Sequence, residues 1–283
     1  MAKTLEKYQQ IERSIITTYR KELWSPFVLA VKKYRLIEKG DKIAVCISGG
    51  KDSMLLAKLM QELQRHSEIP FELVFLVMNP GYNEANAKKI EENARLLHVP
   101  ITVFESDVFA VSEAVNQQSP CYMCARMRRG HLYAKAKELG CNKIALGHHK
   151  SDVIETTVMG MLYGGQIQGM LPRIKSTNFE GMELIRPMYC ILEADILRWK
   201  EYNGLDFIAC ACKFTQKTTG TDEDGFSARR RVKDWIAQLK QENDNVENNI
   251  FQSIHNVQLD TLVEYKQAGE KHSFLEQFES GEE

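Results

Sequence analysis

The chain has no run approaching the roughly 18 apolar residues that a membrane-spanning helix requires, so no membrane segment is expected. Its N-terminus, MAKTLEKYQQIERS, lacks an apolar core and a cleavage-type site, so a cytoplasmic rather than a secreted protein is expected. Charge of one sign is not in excess: 37 Lys and Arg face 38 Asp and Glu, for a net charge of −1. A nucleic-acid partner would therefore be held by local basic patches, not by a global field. There is no internal repeat and no low-complexity tract. The 283 residues are 43% hydrophobic and 27% charged, which excludes a disordered or collagenous chain. At this length about three quarters of the unfolded surface can be buried, so no disulfide staple is needed. The cysteine count, seven, is odd. Five of these lie in the pattern Cys121-x-x-Cys124, Cys190, Cys210-x-Cys212, which in a cytosolic enzyme points to metal binding or catalysis rather than disulfides.

Hydrophobic spacing alternates between two periods. Residues 5–39 read as helical, with Leu5, Tyr8, Ile11, Ile15, Ile16 and Tyr19 three to four apart, until Gly40-Asp41 interrupts the pattern. Ile43-Ala44-Val45-Cys46-Ile47 is a continuous apolar run of the kind buried on both faces of a parallel sheet. Helical spacing returns over Asp52–Leu63. Then follow strand Leu73–Met78, helix Glu84–His98, strand Ile101–Phe104, helix Met123–Leu139, strand Lys143–Leu146 and helix Val153–Tyr163. Strands alternating with amphipathic helices predict a doubly wound α/β domain with a parallel sheet. Beyond Glu183 the pattern predicts a strand at Leu184–Arg186, a helix at Ala194–Asn203, a loop over 215–225 and a helix at Phe226–Gln241. The polar tail after Lys266 is expected to fray.

Ser48-Gly49-Gly50-Lys51-Asp52-Ser53 sits between a buried strand and a helix start, where backbone N–H groups and glycines make an anion site. A turn capped by Ser and Asp is the plain alternative. A Walker A loop fails, because Val45 and Asp52 stand where Gly and Ser or Thr are needed. The Gly-x-Gly-x-x-Gly dinucleotide fingerprint is absent. Cys121 and Cys124 precede a helix carrying Arg126, Arg128 and Arg129, cations that favour thiolates. Four ligands, with Cys210, Cys212 or His131 joining the pair, would suit structural zinc. Three cysteines would suit an iron–sulfur cluster with one iron left open. The residues alone do not choose between these. His148 and His149, beside Asp152, fall beyond the carboxyl end of a strand, where a doubly wound sheet places ligands. Lys32-Lys33, Arg126 to Arg129, Arg173 to Lys175 and Arg229-Arg230-Arg231-Lys233 are candidate phosphate-backbone contacts, although each could equally be a solvated face. Cys46, Cys141 and Cys190 read as core packing.

The hexapeptide matches all five specified positions of Ser-Gly-Gly-x-Asp-Ser, and so resembles the pyrophosphate loop of the N-type ATP pyrophosphatases. Further blocks follow in order: Gly40-Asp41-Lys42-Ile43, Cys121-x-x-Cys124-x-Arg126-x-Arg128-Arg129-Gly130 and Lys143-Ile144-Ala145-Leu146-Gly147-His148-His149. Tyr163-Gly164-Gly165, Gly169-Met170, Ile185-Arg186-Pro187 and Cys212 complete the set. Together, over residues 12–257, they resemble the tRNA 2-thiocytidine synthetase (TtcA) branch of these PP-loop proteins.

The resemblance implies an α/β fold, a doubly wound parallel sheet of HUP/PP-loop type with a helical N-terminal extension and a helical C-terminal region. The expected bounds are 1–40 for the extension, 41–215 for the ATP pyrophosphatase domain and 216–283 for the C-terminal region. It implies an enzyme that adenylates a base carbonyl, by resemblance C2 of cytidine in tRNA, and replaces the oxygen with sulfur. The cofactors implied are ATP, Mg²⁺ and a [4Fe–4S] cluster on Cys121, Cys124 and Cys212, with Cys210 the alternative third ligand because the family's Cys-x-x-Cys is here Cys210-Ala-Cys212. Ser48, Gly49, Gly50, Lys51, Asp52, Ser53, Met78, Gly147 and His148 would bind ATP; Asp52, Arg128 and Asp152 would be catalytic. Where the family shows two aspartates after the His pair, this chain has Ser151 and Asp152. The partners implied are tRNA and a sulfur donor (a cysteine desulfurase or free sulfide), with a second copy of the chain forming a homodimer. Two alternatives are a PP-loop ligase of the tRNA lysidine synthetase type, whose chemistry needs no cysteines, and a thiolase acting on another nucleobase or a small molecule. A third is a non-catalytic zinc module.

Overall fold

The structure is a computed structural model that describes residues 5–106, 120–208 and 228–280, with 120–126, 277 and 280 described as backbone only. The chain divides into two compact units, Met1–Val153 with Met170–Ser227, and Ile154–Gly169 with Ala228–Glu283.

The first unit holds a six-stranded sheet. Its strands are β1 (Lys42–Ile47), β2 (Glu72–Asn79), β3 (Ile101–Glu105), β4 (Lys143–Ala145), β5 (Arg173–Lys175) and β6 (Glu183–Ile185), in the order β3-β2-β1-β4-β6-β5. All neighbouring pairs are parallel except β5 with β6, which run antiparallel at the edge. β5 escaped the sequence reading because three residues, two of them charged, carry no periodicity. The continuous apolar character of β1 is explained by its place between β2 and β4, with five of its six residues buried.

From β1 the chain winds outward through α3 (Lys51–His66) to β2 and through α4 (Glu84–Leu96) to β3. It then returns through α5 (Pro120–Glu138) to β4, on the other side of β1. The direction of winding thus reverses between β1 and β4. A crevice opens beyond the carboxyl ends of the two strands at such a switch point.

The N-terminal stretch is not one helix. It forms α1 (Lys7–Ile16), a π-helical turn (Arg20–Trp24) and α2 (Ser25–Lys33). Pro26 lies at the start of α2, the one part of a helix that tolerates a missing N–H. Ile11, Ile15, Leu23 and Phe27 are fully buried in the same core as β1, α3 and Trp199. Trp199 of α7 (Glu193–Tyr202) and Asn203, the residue that caps its C-terminus, both donate to the Ser14 hydroxyl at 3.2 Å, tying α1 to α7.

In the second unit, α6 (Lys150–Gly164) contributes its later turns beside α8 (Ala228–Glu242) and α9 (Val246–Ser253). The expected frayed tail is instead a hairpin, β7 (Glu264–Gln267) and β8 (Glu270–Ser273), followed by α10 (Phe274–Ser280). Ala268 and Gly269 both have positive φ (52° and 92°), as a two-residue turn matched to strand twist demands. Tyr265 stacks on His272 across the strands and Lys271 pairs with Glu264 at 2.8 Å. The segment gave no alternating apolar signal because these cross-strand pairs are polar and aromatic.

Candidate active site

The crevice at the switch point is a cavity of about 390 Å³. β1 contributes Cys46 and Ile47 to its lining, the loop after it Ser48, α3 contributes Asp52 and Ser53, and β2 contributes Met78. α5 brings Arg128, Arg129 and Leu132, and the segment after β4 brings Leu146, Gly147, His148 and Asp152. Eight of the residues expected to bind ATP or act in catalysis therefore share one cavity: Ser48, Asp52, Ser53, Met78, Arg128, Gly147, His148 and Asp152. Gly49, Gly50 and Lys51 lie in the loop but outside that lining. Cys121 and Cys124 fall within the first five residues of α5, three positions apart. Their side chains, and all of Cys210 and Cys212, lie outside the described residues.

The loop is built by local rules. Gly49 has φ +86°, and a Cβ there would sit 2.5 Å from Ile90 Cγ1 and 2.7 Å from Ile208 Cδ1, so both backbone and space require glycine. Gly50 caps α3 in extended conformation, and its carbonyl accepts from the Ser53 hydroxyl at 3.0 Å. Ser53 Oγ in turn accepts the Ser48 N–H at 3.2 Å, closing the loop on itself. Gly147 lets the segment after β4 approach α3 closely; a Cβ there would meet Asp52 C and Ser53 N at 3.2 Å. The first-turn N–H groups of α3 thus face the cavity, a ready anion site.

His149 joins two carboxylates. It is 5% exposed; its backbone N–H donates to Asp152 Oδ2 at 3.0 Å, and its Nδ1 accepts the Asp152 N–H at 3.4 Å. Its Nδ1 also lies 3.4 Å from Asp152 Oδ2, and its Nε2 stands 3.8 Å from Asp52 Oδ1, too long for a hydrogen bond. Asp52 Oδ1 is buried and has no hydrogen-bond partner. A buried carboxylate oxygen left in that state is costly unless a cation completes it, so the site fits Mg²⁺. A cation of this kind is commonly held by one or two carboxylates and substrate phosphates rather than by a protein cage. Among the described residues no group of three or more His, Cys, Asp or Glu could by itself hold a metal.

Lys51 Nζ lies 3.1 Å from Asp52 Oδ2 and 2.9 Å from Glu193 Oε1. Burial opposes its charge, but the two carboxylates outweigh burial and raise its pKa. Arg128 donates to the Tyr82 hydroxyl at 3.3 Å. Burial pushes the Cys46 thiol at the cavity floor up to about 12, so it is inert, as its reading as core packing requires.

Two groups at this site were not singled out as functional in the sequence. Arg186, just past β6, is 5% exposed; it donates to the Leu171 carbonyl, and its Nε has no partner. Burial and nearby Arg129 push its pKa down to about 10. Glu193, in the first turn of α7, reaches the loop across 142 residues of sequence. For the first the sequence signals were its place at the end of a short strand and in the Ile185-Arg186-Pro187 block of the resemblance, neither of which gave it a role; for the second there was none.

Two of the candidate phosphate contacts are engaged within the chain. Arg173 bonds Glu183 at 2.7 Å and Glu38 at 3.1 Å, which raises its pKa. In the second unit Arg229 bonds Glu155 at 2.9 Å, and Arg231 lies 6.0 Å from the Tyr163 ring centre.

An ATP-phosphate loop at the β1/β4 switch point of a mostly parallel sheet defines a class, and comparison with known proteins agrees. The PP-loop domain family matches residues 16–216. A protein named tRNA-cytidine(32) 2-sulfurtransferase from Vibrio cholerae is 39% identical over 186 residues, which is 64% of this chain and 59% of that protein. The chain thus spans less than two thirds of that relative's length. Proteins of the same name from Alkalilimnicola ehrlichii (34% identical, 83% of this chain and 73% of that protein) and Syntrophotalea carbinolica (35%, 81% and 86%) match more fully. The chain belongs to the PP-loop family, in its tRNA-cytidine(32) 2-sulfurtransferase (TtcA) branch. Among solved structures, the U34-tRNA thiolase NcsA from Methanococcus maripaludis, with its [4Fe–4S] cluster, has a TM-score of 0.63 over 82% of this chain and 76% of that one. At 19% identity this likeness concerns the fold. Among the described residues no helix is long and apolar enough to cross a membrane.

Proposed function

We propose that the chain is an ATP-dependent tRNA sulfurtransferase that adenylates C2 of a cytidine and replaces the carbonyl oxygen with sulfur. The observation that carries this reading is one cavity at the switch point lined by Ser48, Asp52 and Ser53 of the phosphate loop together with Arg128 and Asp152, the two aspartates lying on either side of the His149 ring.

In this reading the N–H groups of Ser48 to Ser53 bind the β- and γ-phosphates. Asp52, through Oδ1, and Asp152 would hold Mg²⁺, which neutralises charge developing on the pyrophosphate. The base carbonyl oxygen attacks the α-phosphorus, the bond to the β-phosphate oxygen breaks, and pyrophosphate leaves. Arg128 stabilises the adenylate, held in place by the Tyr82 hydroxyl. A sulfur nucleophile then forms the C–S bond, AMP leaves with the former carbonyl oxygen, and C=S remains. Cys121, Cys124 and Cys212 (or Cys210) would hold a [4Fe–4S] cluster, a donor set of three thiolates that leaves one iron available for sulfur. The reading places the enzyme in the cytoplasm as a homodimer, with tRNA as substrate and a cysteine desulfurase or free sulfide as donor.

The test is anaerobic purification with iron and acid-labile sulfide analysis, followed by mass spectrometry of tRNA nucleosides after reaction with ATP and sulfide. About four irons and four sulfides per chain, lost in Cys121→Ala, together with ATP-dependent 2-thiocytidine, are expected. Stoichiometric zinc without sulfide, or ATP cleavage that yields no thionucleoside, would overturn it.

A further inference from the structure

We propose that Arg129 and Arg186 form a phosphodiester subsite, in which Arg129 touches the RNA backbone beside the target base and Arg186 holds Arg129 to that task. The inference rests on the tRNA reading above and concerns how the RNA, not the nucleotide, is seated.

Three observations carry it. The first is a missing counter-charge. Among the described residues the buried lysines and arginines are Lys58, Lys143 and Arg186. Lys58 meets Glu12 at 2.6 Å and Lys143 meets Asp41 at 2.7 Å, but Arg186 forms no ion pair among the described residues. Its Nη1 donates to the Leu171 carbonyl, and its Nε has no partner. A buried guanidinium in that state is costly, and an anion brought by a ligand removes the cost. Second, the Arg129 side chain, exposed on the cavity wall, also forms no ion pair or hydrogen bond among the described residues. Its charge and burial together push the Arg186 pKa down to about 10, and Asp152, the carboxylate that also bears on Arg186, acts less strongly than Arg129. Third, strand order separates this pair from the phosphate loop. Arg186 follows β6, whose Ile185 carbonyl accepts the Leu146 N–H at 3.0 Å, and β4 lies between β6 and β1. Two strand spacings put β6 about 10 Å from β1 and its loop.

The charges around the cavity decide what the pair can hold. Arg128, Arg129, Arg186 and Lys51 stand against Asp52, Asp152 and Glu193. The carboxylates are already engaged: Asp52 and Glu193 with Lys51, and Asp152 with the His149 N–H. Arg128 bonds the Tyr82 hydroxyl. The unanswered positive charge therefore lies at Arg129 and Arg186. A phosphodiester supplies one negative charge, and a guanidinium offers it paired N–H donors. An enzyme that acts on a base takes it out of the stack, and contacts to the flanking phosphates fix its register. A base brought to the loop from the β6 side carries those phosphates past Arg129. Arg186, which does not line the cavity, acts through Arg129: like charge keeps the Arg129 head turned toward the cavity. The Leu171 carbonyl holds Arg186 in place, as does the bond from its backbone N–H to the Pro172 carbonyl at 2.9 Å. Arg186 is thus a positioning residue for Arg129.

The experiment measures binding of an unmodified tRNA transcript to the full chain by fluorescence anisotropy over a series of KCl concentrations, and binding of AMPPNP with Mg²⁺ by calorimetry. Arg129→Met should weaken RNA binding on the order of tenfold. It should also flatten the slope of log K against log salt by roughly 0.7–0.9, the loss of one phosphate contact. Arg186→Met should shift both in the same direction, and Arg186→Lys, which keeps the charge, should restore most of the loss. The double variant should bind little worse than Arg129→Met. The urea midpoint of Arg186→Met should not fall, because an unanswered buried charge leaves with the side chain. AMPPNP affinity should change by less than about twofold throughout, as expected of a separate site. An unchanged salt slope in folded Arg129→Met and Arg186→Met, or a loss confined to AMPPNP binding, overturns the proposal while leaving the tRNA reading in place. A lowered midpoint for Arg186→Met with RNA binding intact would make Arg186 a clamp on Leu171 and overturns it too. No binding of the transcript to folded wild type would overturn the tRNA reading and this inference together.

Discussion

Asp152 does two things that an alanine cannot: it accepts the His149 N–H at the start of α6, and it places a carboxylate on the cavity wall. The proposed role in holding Mg²⁺ predicts that Asp152→Ala lowers ATP cleavage by a factor of about 10²–10³, the usual scale for removing one electrostatic group from a reacting phosphate site. Its urea midpoint should shift only modestly, because one capping hydrogen bond contributes about 1 kcal/mol. Normal ATP consumption by the folded variant would reject the role. At this scale the sequence was informative where chemistry depends on neighbours in the chain. Ser48 to Ser53 announced an anion site because a strand, two glycines and a helix start suffice to build one. It was silent on Glu193 and gave Arg186 a place in a motif but no role, because nothing near them in the chain records that they end beside Lys51 and Arg129.

Two glycines with the same φ of +86° separate backbone strain from packing at the scale of an element. Gly40 has nothing within 4 Å of a built Cβ, whereas Gly49 would drive one to 2.5 Å from Ile90 of α4. Gly40→Ala is therefore expected to cost about 1 kcal/mol, the left-handed penalty alone. Gly49→Ala should cost about 2–4 kcal/mol, the same penalty with overpacking added, and should weaken nucleotide binding as well. Equal losses in chemical denaturation would show that the contact with α4 does not constrain the loop. The long elements, β1, α3, β2 and α4, were legible because each repeats one period over enough residues. β5 and the β7–β8 hairpin were not, since three or four residues with polar faces carry no period and are held by partners distant in sequence or by turn geometry.

At the scale of the molecule, a second charge cluster lies at the opposite end of the sheet from the site. Lys143, at the start of β4, bonds Asp41 at 2.7 Å and the Leu36 carbonyl at 3.2 Å, and stands 3.5 Å from both Glu38 and Glu183. Lys143 and Asp41 are almost fully buried, at 2% and 5% exposure. Lys143→Met leaves Asp41 buried without its cation and should destabilise by about 3–5 kcal/mol, with ATP-analogue affinity unchanged in the fraction that remains folded. Adding Asp41→Asn should recover part of that loss; failure to do so would show that the pair is not what the strand ends depend on. The amino-acid sequence by itself determined the alternation of strands and helices, the phosphate loop and the cysteine pattern, because each is written in residues close together along the chain. Only the tertiary structure decided that winding reverses between β1 and β4, that the loop faces Arg128 and Asp152 across one cavity, and that Glu193 grips Lys51. Those juxtapositions follow from the order in which strands pair, and strand order is set by burial summed over the whole sheet rather than by any local run of residues.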